Sequence, residues 1–271
     1  MVRLKWLKDY FFPARHKGLL YQLVKREIRQ KFKGSWLGLG WALLTPIAML
    51  AVYTFVFRSV LNAKWPGNAA DTDAEFALQL FCGLIVFTLF SEVVGRAPSL
   101  ISEQPNMVKK VIFPLSILPW VSVGASAFFA VLSLLVLISA TLFTRGELTI
   151  HLLALPLIGI AFVPALLGFG WLLSSLGVYL RDLGHIVGLI LTPLMFLSPI
   201  FYPITALPDF VQEFMLLNPL ALIIDSTRAV VLQAEWPDFI ALGIYQIVSI
   251  GIALVGAACF HKTRRGFADV L

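Results

Sequence analysis

Residues 23–50 read "LVKREIRQKFKGSWLGLGWALLTPIAML". A basic segment runs directly into a glycine- and tryptophan-rich apolar run, and the two halves follow different rules. In and just before the first half, Leu20, Val24, Ile28 and Phe32 recur every four residues, with Leu19 and Leu23 beside them. Lys25, Arg26, Arg29 and Lys33 fall mostly on the opposite face. This pattern predicts an amphipathic helix lying along the inner membrane surface. Its basic face suits either a lipid anchor or a docking surface for a cytoplasmic partner, and periodicity leaves both open. In the second half no charge follows Lys33 until Arg58. Trp36 and Trp41 suit a membrane–water boundary, Gly34 and Gly38 permit close helix approach, and Pro46 is placed to bend the helix.

The rest of the chain fits this membrane reading. Of its 271 residues 59% are hydrophobic and 13% charged, and mean hydropathy is +0.88. A soluble domain carries about 25% charged residues. We therefore expect an all-α integral membrane protein with six transmembrane helices near 37–60, 77–95, 115–143, 152–180, 186–203 and 239–260. Prolines at the entries of the third and fourth spans are placed to bend or break them. Residues 1–36 form an N-terminal cytoplasmic segment, 37–260 the membrane domain and 261–271 a cytoplasmic tail. No short apolar leader with a small-residue cleavage site precedes the first run, so topology is expected to come from internal spans. With both termini cytoplasmic, the outer segments hold only Arg58, Lys64, Arg145 and Arg228, and the other basic residues lie inside. Topology thus accounts for the net charge of +6, and no nucleic-acid partner is implied.

Chemistry-bearing motifs are missing. There is no G-x-x-x-x-G-K-[ST] loop, HExxH, CxxC or GxSxG. Cys82 and Cys259 sit in apolar runs as packing residues, and the four histidines lie apart at membrane edges. Glu92 and Arg96, four apart near the inner end of the second span, suit a local ion pair. No metal or cofactor is expected in this chain, and no catalytic constellation. A six-span protein of this kind is a channel, a scaffold, or half of a machine powered by another subunit.

Three segments interrupt the apolar pattern. In "RAPSLISEQPNMVKK" (96–110), Ser99 is placed to cap a short helix starting near Leu100, with Glu103 in its first turn and Pro105 ending it. Arg181 and Asp182 mark a tight inner turn between spans four and five. The stretch 198–238 is rich in prolines yet apolar, too broken for a span and too greasy for a free loop. Re-entrant helices dipping into the outer leaflet fit it, because backbone breaks there only when covered by protein or water. Asp225 and Arg228 are spaced to pair at the outer surface.

Several of these blocks, the 23–57 run, the 181–182 turn, "SPIFYPITALP", "LNPLALIIDSTRAVVL" and the basic end "HKTRRGFADVL", resemble the ABC-2 type permeases, and most closely the membrane subunits that export O-antigen and related polysaccharides. The resemblance covers nearly the whole chain. It implies a non-enzymatic homodimer in a bacterial inner membrane, joined by two copies of a separate ABC ATPase that binds ATP and Mg, with lipid-linked polysaccharide as substrate. It implies an interface helix carrying Lys25, Arg26 and Arg29, and a coupling helix including Ser99, Leu100, Ile101, Glu103, Gln104 and Lys109. It also implies outer gate helices between spans five and six, with Asn218, Asp225 and Arg228 as gate residues. A glycan needs no fixed charge to bind, and rings stack on sugar faces, so Trp41, Tyr53, Phe57, Phe128, Trp171, Tyr179, Phe196 and Tyr202 are candidates for the translocation path. Capsule and teichoic acid exporters are near variants. A membrane-embedded lipid-linked glycan enzyme and a passive channel are readings of other classes.

Overall fold

The computed structural model describes residues 7, 10–56, 73–108, 113–146, 149–215 and 217–270. Among them every regular element is helical. The main helices are α1 (Lys17–Lys31), α2 (Trp41–Thr54), α3 (Asp73–Arg96), α4 (Leu118–Arg145), α5 (Leu155–Gly177), α6 (Leu183–Leu197), α7 (Asp209–Met215), α8 (Ala221–Arg228) and α9 (Phe239–Thr263).

Among the described residues four continuous stretches are long and apolar enough to cross a membrane: Glu75–Ser99, Leu115–Arg145, Ile150–Gly177 and Phe239–Gly266. They correspond to the second, third, fourth and sixth expected spans. The first and fifth hold shorter apolar helices, Gly38–Thr54 and Leu183–Leu197. Beyond α2 only residues 55–56 are described before residue 73. Helix α6 stops because Ser198, which precedes Pro199, takes an extended conformation (φ −90°, ψ 150°), the one a following proline enforces.

The prolines at the entries of α4 and α5 do not break them. Pro119 and Pro156 occupy the first turns, where a missing N–H costs nothing. A 3₁₀ turn leads into each helix, Leu115–Ile117 and Ile150–Ala154. Gly146 ends α4 in a left-handed conformation (φ 78°), its N–H donating to the Leu142 carbonyl at 2.8 Å. Asp238 starts α9 by accepting from the Ile240 and Ala241 N–H groups at 2.9 and 3.0 Å.

Helices α5 and α9 form the tightest pair. Lipid tails are as apolar as leucine, so helices in a membrane associate mainly where small residues let the backbones approach. A Cβ on Gly168 would lie 2.7 Å from the Ala253 nitrogen, and one on Gly256 would strike the Gly168 carbonyl oxygen. Ala161, Ala165, Ala253 and Ala257 are buried near this contact. Away from it, α9 exposes Ile240, Ile244, Ile247 and Val255. Helix α3 is the most buried of the four long helices, packed by α2, α4, α5, α6 and α8.

The N-terminal segment is docked against this bundle. The Tyr10 and Phe11 rings lie 5.5 and 5.7 Å from the Trp171 ring, and Trp120 Nε1 donates to the Tyr10 carbonyl at 2.7 Å. Burial pushes the Tyr10 phenol up to about 12, so it stays neutral throughout the physiological range.

The α5–α9 contact gives a direct test. Gly256→Leu forces a side chain into the Gly168 backbone and should cost about 1–3 kcal/mol or more by overpacking. The expected readout is a lowered melting temperature in detergent. Gly243→Leu, at a position with nothing within 4 Å of its Cβ, should leave melting unchanged.

Candidate functional site

One face of the bundle is organised by α1. Its apolar side rests on protein: Leu23 packs with Ile117 and Val121, and Leu19, Leu20 and Val24 surround them. Gly124 of α4 makes room, since a Cβ there would come within 3.0 Å of Val24 Cγ2. The Phe32 ring meets Phe129 edge-on at 5.7 Å. Two ion pairs then fasten α1 to α3. Lys31 Nζ sits 2.7 Å from Glu92 Oε1 and 4.2 Å from the Phe129 ring centre. Arg96 Nη1 pairs with Glu27. The local Glu92–Arg96 pair expected from their spacing gives way to these two long-range pairs, because α1 brings opposite charges to both.

With Glu27 and Lys31 turned to α3, Lys25, Arg26 and Arg29 face outward and are exposed. Lys25 Nζ lies 5.7 Å from the Tyr21 ring. The result is a basic surface on a helix braced from behind.

The adjoining segment differs from the sequence expectation. After α3 come a 3₁₀ turn, Ala97–Ser99, and further turns to Glu103, and the short helix begins at Pro105 and runs to Val108. Pro105 starts this helix because proline suits a first turn. Ser99 does not cap a helix at Leu100. Its hydroxyl donates to Glu103 Oε1 at 2.7 Å, and Arg96 Nη2 lies 3.7 Å from Glu103 Oε2. Leu100 and Ile101 are buried in the core and so anchor the segment, whereas Glu103 is exposed and Gln104 half-buried. The Pro98 backbone presses against Gly177 at the end of α5, where a Cβ would lie 2.6 Å from Pro98 Cα. Lys109 lies outside the described residues.

Above α1, a cavity of about 300 Å³ opens between α2, α3 and α4. Its wall includes the rings of Trp41, Tyr53, Phe81 and Phe129, the hydroxyls of Thr45, Thr88, Ser126 and Ser133, and Lys31 and Glu92. Aromatic faces and hydroxyls together suit a neutral, hydroxylated ligand. Of the candidate path residues, Trp41 and Tyr53 line this cavity. Phe128 is exposed and meets Phe129 edge-on at 5.5 Å. Tyr179 donates to the Thr263 carbonyl at 3.0 Å. Phe196 stacks on Phe201 at 5.5 Å, and Tyr202 donates to the Phe196 carbonyl at 2.8 Å. Phe57 lies outside the described residues. Trp171 is a correction: it is fully buried, its Nε1 donating to the Ser116 carbonyl at 3.0 Å, and belongs to the core. The sequence reading missed Phe81 and Thr88 as lining residues. With Ile85 and Glu92 they form a stripe at helical spacing on α3, a signal shared with any packed helix face.

Toward the other end of α3, Asn218 closes the break after α6. Its Nδ2 donates to the Leu197 carbonyl at 3.2 Å and lies 3.0 Å from Ser198 Oγ, while its Oδ1 accepts from the Leu220 N–H at 2.9 Å. Asp225 is exposed. Arg228 itself is 2% exposed: Asp225 acts on it as a nearby charge, and its guanidinium donates inward to the carbonyls of Gln79, Pro199 and Ile200.

The two tryptophans should behave oppositely. Trp171→Ala should cost about 3–5 kcal/mol of stability as a large-to-small core change, read as a large fall in melting temperature. Trp41→Ala, at a partly exposed position, should leave melting nearly unchanged.

The sequence matches known proteins along its length. A family model described as ABC-2 type transporter matches residues 18–232. The O-antigen export system permease protein RfbA of Myxococcus xanthus is 30% identical over 256 residues, covering 94% of this chain and 95% of that protein. An RfbA of Klebsiella pneumoniae is 25% identical over 272 residues, covering 100% and 99%. The polysialic acid transport protein KpsM of Escherichia coli is 25% identical over 244 residues, covering 89% and 92%. By the family match and the Myxococcus relative together, this chain belongs to the ABC-2 type transporter family.

Proposed function

We propose that the chain is the permease subunit of an ATP-driven exporter that moves lipid-linked O-antigen polysaccharide across a bacterial inner membrane. It works as a homodimer with two copies of a separate ABC ATPase, which carries the ATP and Mg. Six spans place both termini in the cytoplasm, with α2 and α6 as the cores of the first and fifth. The segment between α6 and α9 acts as the outer gate, and Trp41 and Tyr53 face the moving glycan.

The observation that carries this reading is α1. A helix serving only as a lipid anchor would turn its apolar side to the bilayer. Here Leu23 is buried against Ile117 and Val121 with Leu19, Leu20 and Val24 half-buried around it, two ion pairs fix the helix to α3, and Lys25, Arg26 and Arg29 are exposed. A helix braced in this way can receive force from a bound subunit and pass it on. Glu103 and Gln104 form the neighbouring part of the same surface. A capsular polysaccharide exporter is the second reading, favoured by the similarity to the polysialic acid transport protein.

Affinity purification from native membranes, with an ATP hydrolysis assay, tests the proposal. A stoichiometric P-loop subunit should accompany the chain. Arg26→Glu with Arg29→Glu should leave membrane insertion intact and reduce that co-purification to background. Normal yield of the complex from the double variant would remove α1 as the docking site.

A further inference from the structure

The broken outer segment is held onto α3 by two arginines. Arg228 Nε and Nη2 donate to the Gln79 carbonyl of α3 at 3.2 and 3.1 Å. Nη2 also donates to the Ile200 carbonyl at 2.7 Å, and Nη1 to that of Pro199. Pro199 and Ile200 follow directly on the end of α6, where the helical ladder has stopped, and broken backbone at membrane depth needs donors from the protein. A guanidinium supplies several in a planar fork. Gly83, one turn along α3 from Gln79, keeps the slot open: a Cβ there would lie 3.1 Å from both Arg228 Nη2 and Ile200 Cα. Beyond Arg228 the chain makes a π turn, Ala229–Gln233. Arg145 holds that turn by donating to the Leu232 carbonyl, and it reaches Glu75 of α3 at 3.0 Å.

The other end of α3 carries Glu92 and Arg96, the residues that hold α1. The helix has 24 residues and no proline, so it runs about 36 Å as one rod. We propose that Arg228 joins α3 and the outer segment into one moving body, so that displacement of α1 at the inner face arrives at the outer opening through α3. This rests on the exporter reading above. Arg228 is here a positioning residue, acting through Gln79, Pro199 and Ile200 and not on the substrate.

The test uses the full permease–ATPase complex in lipid vesicles, with export measured per ATP hydrolysed. Arg228→Met removes the fork, and Gly83→Ala crowds its slot. Each should lower chains exported per ATP by about tenfold or more, within the range of coupling between distant sites. Arg228→Lys keeps the charge but not the fork; it should fall between, and it carries the same test if Arg228→Met does not accumulate. A structural role alone would not move a second readout, the distance between spin labels at Ser91 on α3, half-buried and outside the cavity wall, and Glu213 on α7, exposed. Labelled copies are diluted with unlabelled ones so that pairs within one chain dominate. In the parent this distance should stay constant with and without ATP, and in Arg228→Met and Arg228→Lys it should broaden with ATP. A parental distance that shifts with ATP would overturn the proposal, as would export by Arg228→Met at the parental ratio. A parent complex showing no ATP-driven export would refute the exporter reading by itself, and the label comparison between parent and variants would still decide whether Arg228 binds the segment to α3.

Discussion

The pairing of Glu27 and Lys31 on α1 with Arg96 and Glu92 on α3 is the interaction on which one end of the molecule depends. Exposed ion pairs contribute little to stability, typically under about 1 kcal/mol each. Their weight here is geometric. Together with the Leu23–Ile117–Val121 contact, they fix the orientation of α1 about its own axis. That orientation decides which residues face out, and so makes Arg26 and Arg29 a surface.

A second constraint governs the opposite end. Chain broken by Pro199 and Pro203 cannot satisfy its own backbone, so polar side chains must do it. Asn218 serves the end of α6, Arg228 the residues just after it, and Arg145 the turn that follows α8. Two of these three groups reach α3 as well, which makes α3 the common partner of both faces. The α5–α9 pair, locked by Gly168 and Gly256, provides a rigid wall beside it.

Much of the architecture was legible in the residues. Four stretches long and apolar enough to span, among the described residues, fall where apolar length places them, and the face of α1 that packs on protein is the one its four-residue period marks. The failures share a cause. Glu92 and Arg96, and Asp225 and Arg228, sit at helical spacings that suggest local pairs. Glu92 pairs with Lys31, 61 residues away, and Arg96 with Glu27, 69 away, and with Glu103, while Arg228, besides feeling the Asp225 charge, is bonded to carbonyls 28, 29 and 149 residues away. Spacing within a helix cannot reveal a group that a distant segment delivers. Trp171 and Trp41 look alike as aromatic residues in apolar runs. The Ser116 carbonyl, 55 residues from Trp171, and the rings of Tyr10 and Phe11 make one a core residue. Pro105 was read as a stop and acts as a start, because the segment before it is pinned by Leu100 and Ile101 in the core.

The central claim is that α1 is where force from an ATPase enters the protein. A photo-crosslinking amino acid placed at Arg29 in native membranes addresses it most directly. The account predicts that illumination captures a P-loop ATPase subunit as the dominant adduct. Adducts with lipid alone, in membranes where the ATPase is present, would contradict it and leave α1 as an anchor.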